Sequence, residues 1–156
     1  MPAGNPWQRP TIASPEDRFA MVQLALSDDR IVVSNCEINR VGPSYAIDTV
    51  IELMETFEAD RFTWILGSDA LAGIESWHRI RELAELVDFL AIVRPGYHLD
   101  QSRIPDFIQW QVRELGALDI SATEIRHALH EHRDVSSMLT EPVSRYIREN
   151  GLYGAA

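Results

Sequence analysis

Two short apolar runs constrain this chain most: FTWILG at 62–67 and DFLAIVRPG at 88–96. Both are too short for a buried helix, neither alternates, and one stops at glycine while the other stops at Arg-Pro-Gly. Runs of that kind predict strands buried on both faces, and such strands belong to parallel sheets covered by helices. Between them, SDALAGIESWHRIRELAELV at 68–87 carries apolar residues at helical spacing, interrupted near Gly73 to Ser76. Two short helical pieces are expected there. Strand, helix and strand in that order make a parallel crossover.

The flanking segments extend the alternation. SPEDRFAMVQLALS at 14–27 predicts a helix with Ser14 as N-cap, Pro15 in the first turn, and Glu16 and Asp17 complementing the dipole. IVVSNCEI at 31–38 is β-branched and reads as a strand. In GPSYAIDTVIELMETF at 42–57, Ile47, Val50, Ile51 and Met54 recur at helical spacing, predicting a helix capped by Ser44. A helix around 103–110 is expected, and ELGALDI at 114–120 reads as the last strand. Helices over 121–132 and 140–150 close the chain, the latter stopped by Gly151. The fold class is therefore α/β with a mainly parallel sheet, in a single domain of 156 residues. Ligands of such sheets collect beyond the carboxyl ends of the strands. That directs attention to Gly67-Ser68-Asp69, Arg94-Pro95-Gly96 and Ile120-Ser121-Ala122-Thr123.

Charge narrows the partners. With 24 acidic against 14 basic residues the formal net charge is −10, which argues against non-specific nucleic-acid binding and against an anionic membrane surface. A small anionic substrate remains open, because a few arginines can dominate a local field. No apolar run approaches the roughly 20 residues of a membrane span. The single cysteine, Cys36, leaves no internal disulfide and fits a reducing cytoplasm.

Each local motif has a plain meaning beside its chemical one. DISATEIR at 119–126 places Ser121 and Glu124 as a capping box, and Thr123 and Arg126 on the same helix start. Such a start can grip phosphate oxygens, although alone a helix cap with a surface arginine is the commoner meaning. ILGSDAL at 65–71 ends a strand in Gly67, where a ligand can approach the backbone, and Asp69 can accept from a ribose or help hold Mg²⁺; a simple helix cap is as good a reading. Trp77, beside His78, can stack on a flat ring, yet tryptophan at helical spacing is more often core. Arg94 is equally a strand-end charge. His127, His130 and His132 form a solvated helix end more readily than a metal site.

Together, PAGNPWQR, GPSYAIDT, ILGSDAL-x5-WH, a strand ending in RPG, and ISATEIR follow the order and approximate spacing found in bacterial nicotinate-nucleotide adenylyltransferases. The chain resembles that family from Pro2 to about Tyr153. The resemblance implies a Rossmann-like nucleotidyltransferase fold and transfer of AMP from ATP to nicotinate mononucleotide, giving deamido-NAD and pyrophosphate. It implies that Trp77 stacks on the pyridine ring and that backbone N–H groups near Ala46, Ile47 and His78 hold the nicotinate carboxylate. Asp69 would face the ribose, with Trp7 and Arg9 also on the mononucleotide side. Gly67, Arg94, Ile120, Ser121, Thr123 and Arg126 would bind ATP, Arg126 with a catalytic role and Mg²⁺ neutralising the remaining phosphate charge. The implied partners are these two small molecules, without nucleic acid or membrane, and self-association stays open.

Three departures stand out. Position 46 is alanine where the family commonly has threonine, and position 9 is arginine where lysine is usual. The family also opens with a strand and a G-G-T-F-D-P-x-H-x-G-H turn whose histidines bind ATP phosphates, and no H-x-G-H occurs here. MPAGNPWQRP resembles the loop after the family's second strand, so a strand–helix–strand unit is expected to be missing from the N-terminus. A non-catalytic mononucleotide-binding remnant is the alternative function. A sister enzyme acting on phosphopantetheine is disfavoured by GPSYAIDT and by the Asp69–Trp77 spacing.

Overall fold

A computed structural model of the chain describes residues 13–58, 61–93, 100–114 and 120–155. The chain divides into two compact units, one of residues 45–118 and one of residues 1–44 with 119–156.

The unit of residues 45–118 holds the sheet. Helix α3 (Ala46–Thr56) leads to strand β1 (Phe62–Gly67), the short helix α4 (Ser68–Ala72), a 3₁₀ turn at Ile74–Ser76 and helix α5 (Ile80–Leu86). Strands β2 (Val87–Val93) and β3 (Trp110–Glu114) follow, and the three strands lie parallel in the order β1-β2-β3. Register is set by pairs such as Trp64 with Phe89 and Phe89 with Trp110. The central strand carries the core: Val87, Phe89 and Ala91 are buried at every second position. Against them pack Ile47 and Val50 of α3, Leu71 of α4, Leu83 of α5, and Ile104 and Ile108 from the segment before β3. Arg61 forks onto Asp88 through two hydrogen bonds, tying the start of β1 to β2.

The other unit is helical among its described residues. It comprises α1 (Pro15–Ala25), a single turn α2 (Cys36–Asn39), α6 (Ala122–His130) and α7 (Glu141–Glu149), with a 3₁₀ turn at Leu152–Gly154. Helix α1 starts as its sequence requires: Ser14 Oγ accepts from the Asp17 N–H at 3.0 Å while Asp17 accepts from the Ser14 N–H. Ala128, Leu129, Val135, Val143 and Ile147 form its core. The Tyr146 hydroxyl of α7 donates to Asp17 Oδ1 of α1 at 2.9 Å. Gly151 follows α7 with φ 57°, the left-handed stop its position predicts. No helix of the described residues is long and apolar enough to cross a membrane.

Five expectations fail in whole or in part. Residues 31–35 have no regular structure, 36–39 form a helical turn, and Ile31 and Val32 are 54% and 68% exposed. β-Branched residues favour a strand only where a neighbouring strand receives them, and none does among the described residues. The expected helix at 103–110 is instead a 3₁₀ turn at Gln101–Arg103, begun by the Asp100 carboxylate accepting from the Ser102 N–H, followed by Pro105 and then β3. The last strand therefore lies at 110–114; of the predicted 114–120 only Glu114 belongs to it, residues 115–119 lie outside the described residues, and Ile120 is in no strand. Ser44 does not cap α3: the N-cap is Tyr45, and Ser44 is buried with its hydroxyl donating to the Glu37 carbonyl. β1 forms as predicted but is not covered on both faces, since Ile65 is 64% exposed on a strand paired, among the described residues, only with β2.

Candidate functional site

In the unit of residues 45–118, the first turn of α3 and the turn after the 3₁₀ segment come together. Ile47 is fully buried and anchors the start of α3 in the core, while the helix's first N–H groups have no acceptor one turn back. Those N–H groups and the helix dipole favour a negative group at that end. Tyr45, the N-cap, lies against the His78 ring with centroids 4.2 Å apart and planes tilted 31°. Trp77 stands edge-on to Trp64 of β1 at 6.3 Å and is half-buried, so part of its ring packs on the core cluster while the rest meets solvent. Arg79 completes the turn in the left-handed region at φ 52°. An arginine there costs about 1 kcal/mol. Its guanidinium forks onto Glu82 at 2.6 and 3.0 Å and reaches Asp48 of α3 at 3.7 Å.

At the carboxyl end of β1, Gly67 turns the chain into α4. Its φ of −72° suits any residue, so the glycine answers to space: a Cβ here would stand 2.5 Å from Asp69 Oδ1. The exposed Asp69 carboxylate is thus folded back over the strand end, where it is open to a hydroxyl donor.

In the other unit, Ser121 caps α6 by accepting from the Glu124 N–H at 3.0 Å. Arg126 Nη2 donates to Thr123 Oγ1 at 3.2 Å, placing guanidinium and hydroxyl on one exposed face of the first turns. Burial pushes the Tyr153 phenol up, and the positive charges of Arg126 and Arg18 oppose that shift. Arg18 therefore adds to the positive field around α6. His127 faces Glu131 at 3.2 Å, and among the described residues no three His, Cys, Asp or Glu side chains gather to hold a metal.

Thus Ala46, Ile47 and His78 share one locality, Trp77 belongs to the same turn as His78, and Gly67 and Asp69 form a second feature of the same unit. Ser121, Thr123 and Arg126 share the α6 start in the other, with Ile120 just before the cap. Trp7, Arg9 and Arg94 lie outside the described residues. Sequence reasoning missed Tyr45, Trp64 and Arg79. Tyr45 carried a signal, being the aromatic residue immediately before a helix start. Arg79 carried none, because a left-handed arginine cannot be told from a helical one by pattern.

The chain is similar to known proteins along most of its length. A cytidylyltransferase-like family model matches residues 1–128. A protein of Acidothermus cellulolyticus named "Probable nicotinate-nucleotide adenylyltransferase" is 37% identical over 98% of this chain and 77% of its own length. One of the same name from Thermus thermophilus is 37% identical over 97% of this chain and 80% of its own. Among solved structures, the Plasmodium falciparum nicotinic acid mononucleotide adenylyltransferase complexed with NaAD is similar in fold. Its TM-score is 0.73 at 20% identity, covering 99% of this chain and 80% of that one.

Proposed function

The chain belongs to the nicotinate-nucleotide adenylyltransferase family, and from that premise we propose that it transfers AMP from ATP to nicotinate mononucleotide, giving deamido-NAD and pyrophosphate in NAD biosynthesis. The observation that carries the reading is the turn of Trp77 and His78 held against the first turn of α3 through the Tyr45–His78 ring contact. A flat pyridine ring has the solvent-facing part of Trp77 to stack on, and its carboxylate has the first N–H groups of α3, at Ala46 and Ile47, together with the His78 N–H. The threonine hydroxyl absent at Ala46 is not needed for those backbone contacts. Asp69 accepts from the ribose, and Gly67 leaves room for it to do so.

On the ATP side, Ser121, Thr123 and Arg126 bind phosphate oxygens, with Ile120 and Arg94 as further contacts, while Trp7 and Arg9 serve the mononucleotide. The reaction needs no covalent enzyme intermediate. A phosphate oxygen of the mononucleotide attacks the α-phosphorus of ATP, a new P–O bond forms, and the bond to the β-phosphate bridging oxygen breaks. Pyrophosphate leaves with that electron pair, and Arg126 offsets the charge gathering on the phosphates. Mg²⁺ suits this donor set because it keeps several waters and takes most of its oxygens from substrate phosphates; when bound it would neutralise phosphate charge. The cytoplasm, where ATP is abundant and the lone Cys36 stays reduced, is the compartment this reading requires.

Two substitutions separate the roles. Trp77→Ala is expected to raise KM for nicotinate mononucleotide about tenfold with little change in kcat, the loss of one stacking contact. Arg126→Ala is expected to lower kcat by about tenfold or more. Steady-state kinetics decide both: an unchanged kcat would remove Arg126 from catalysis, and an unchanged KM would remove Trp77 from the mononucleotide pocket.

A further inference from the structure

Asp48 is a poor neighbour for a nicotinate carboxylate. It is the third residue of α3, immediately after Ile47, so its negative charge sits at the helix end that the anionic ring substituent would approach. Uncompensated, it would repel the acid substrate and leave the neutral amide untouched. Arg79 faces it at 3.7 Å. Residue 79 adopts φ 52°, and Glu82 holds the guanidinium fork from the other side at 2.6 and 3.0 Å. The same turn keeps His78 against Tyr45. Arg79 thus occupies a left-handed backbone position that costs about 1 kcal/mol, while its exposed ion pairs by themselves contribute little.

We infer that Arg79 is a specificity-determining residue of the mononucleotide pocket: by standing between Glu82 and Asp48 it offsets the Asp48 charge beside the Ile47 N–H and so favours the acid over the amide mononucleotide. The inference rests on the reading that unit 45–118 binds nicotinate mononucleotide. Arg79 acts through Asp48 and touches no reacting atom. Two partly solvated charges within a few ångströms of each other interact strongly enough to change binding about three- to tenfold.

The test is isothermal titration calorimetry of the full chain with nicotinate mononucleotide and with nicotinamide mononucleotide. Arg79→Gln, which keeps the same backbone demand, is expected to weaken the acid about three- to tenfold and the amide less than twofold. Adding Asp48→Asn to Arg79→Gln is expected to restore acid binding to within about twofold of wild type, and Asp48→Asn alone to tighten it. A purely structural Arg79 would weaken both ligands equally with no rescue, and that result, or unchanged acid binding in both single variants, overturns the inference. If the wild-type chain binds neither mononucleotide, the proposed function falls and this inference with it. Wild-type binding with non-discriminating variants removes the inference alone.

Discussion

Gly67→Ala separates space from stability at the candidate site. The backbone there, φ −72° and ψ 154°, is ordinary extended geometry, so alanine brings no strain of its own. Restricting the unfolded chain even favours it by about 0.4–1 kcal/mol. Against that stands the 2.5 Å approach of the new Cβ to Asp69 Oδ1, which forces the carboxylate out of its present position. Moving an exposed side chain costs about 0.5–1.5 kcal/mol if it leaves its rotamer well. The two effects nearly cancel, and the melting temperature should move by no more than about 4 °C. Binding should not be spared. A hydrogen bond between a charged group and a ligand hydroxyl is worth about 1.5–3 kcal/mol, so losing the Asp69 contact should weaken nicotinate mononucleotide binding about ten- to hundredfold. Thermal melting and calorimetry on one preparation measure both quantities. A variant that melts normally and binds within twofold of wild type would refute the role given to Asp69 and the spatial reason given for Gly67.

Two further outcomes concern the fold. Phe89→Ala empties the centre of β2, where the side chain is 1% exposed, and should cost about 3–5 kcal/mol, read as a shifted urea midpoint. Tyr146→Phe removes the hydroxyl that, after that of Ser14, holds the Asp17 carboxyl below the usual carboxylate range. A depressed folded-state value stabilises above the unfolded carboxylate value and is lost as pH falls through the folded one. The variant should therefore be less stable than wild type at pH 7, and the gap should narrow below about pH 4. A gap equal at pH 7 and pH 3 in urea titrations would count against the Asp17 contact.

The parts of the fold legible in the sequence were those set by local chemistry. The Ser14–Asp17 capping box, the Ser121 cap, the break between α4 and α5 and the Gly151 stop each follow from residues within one turn of the feature. The apolar run of β2 was equally plain because its neighbours cover it. Residues 31–38 misled because β-branching records a preference that only a partner strand can satisfy. Residues 103–110 misled because Ile104, Phe107 and Ile108 look helical in spacing, while Pro105 and the Arg81 guanidinium over the Phe107 ring serve a different packing. At the site, Ile47, Trp77 and His78 were visible as motif residues. Tyr45 and Arg79 depend on a ring contact and a left-handed backbone, which exist only once α3 and α5 are packed.

The central claim is transfer of the adenylyl group, and isotopic labelling tests it most directly. The chain is incubated with nicotinate mononucleotide, Mg²⁺ and ATP labelled with ³²P at the α-phosphate in one reaction and at the γ-phosphate in another. Adenylyl transfer puts α-label in deamido-NAD and γ-label in pyrophosphate, in equal amounts. Nicotinate mononucleotide bound with all label remaining in ATP would contradict it and leave a binding protein in place of an enzyme.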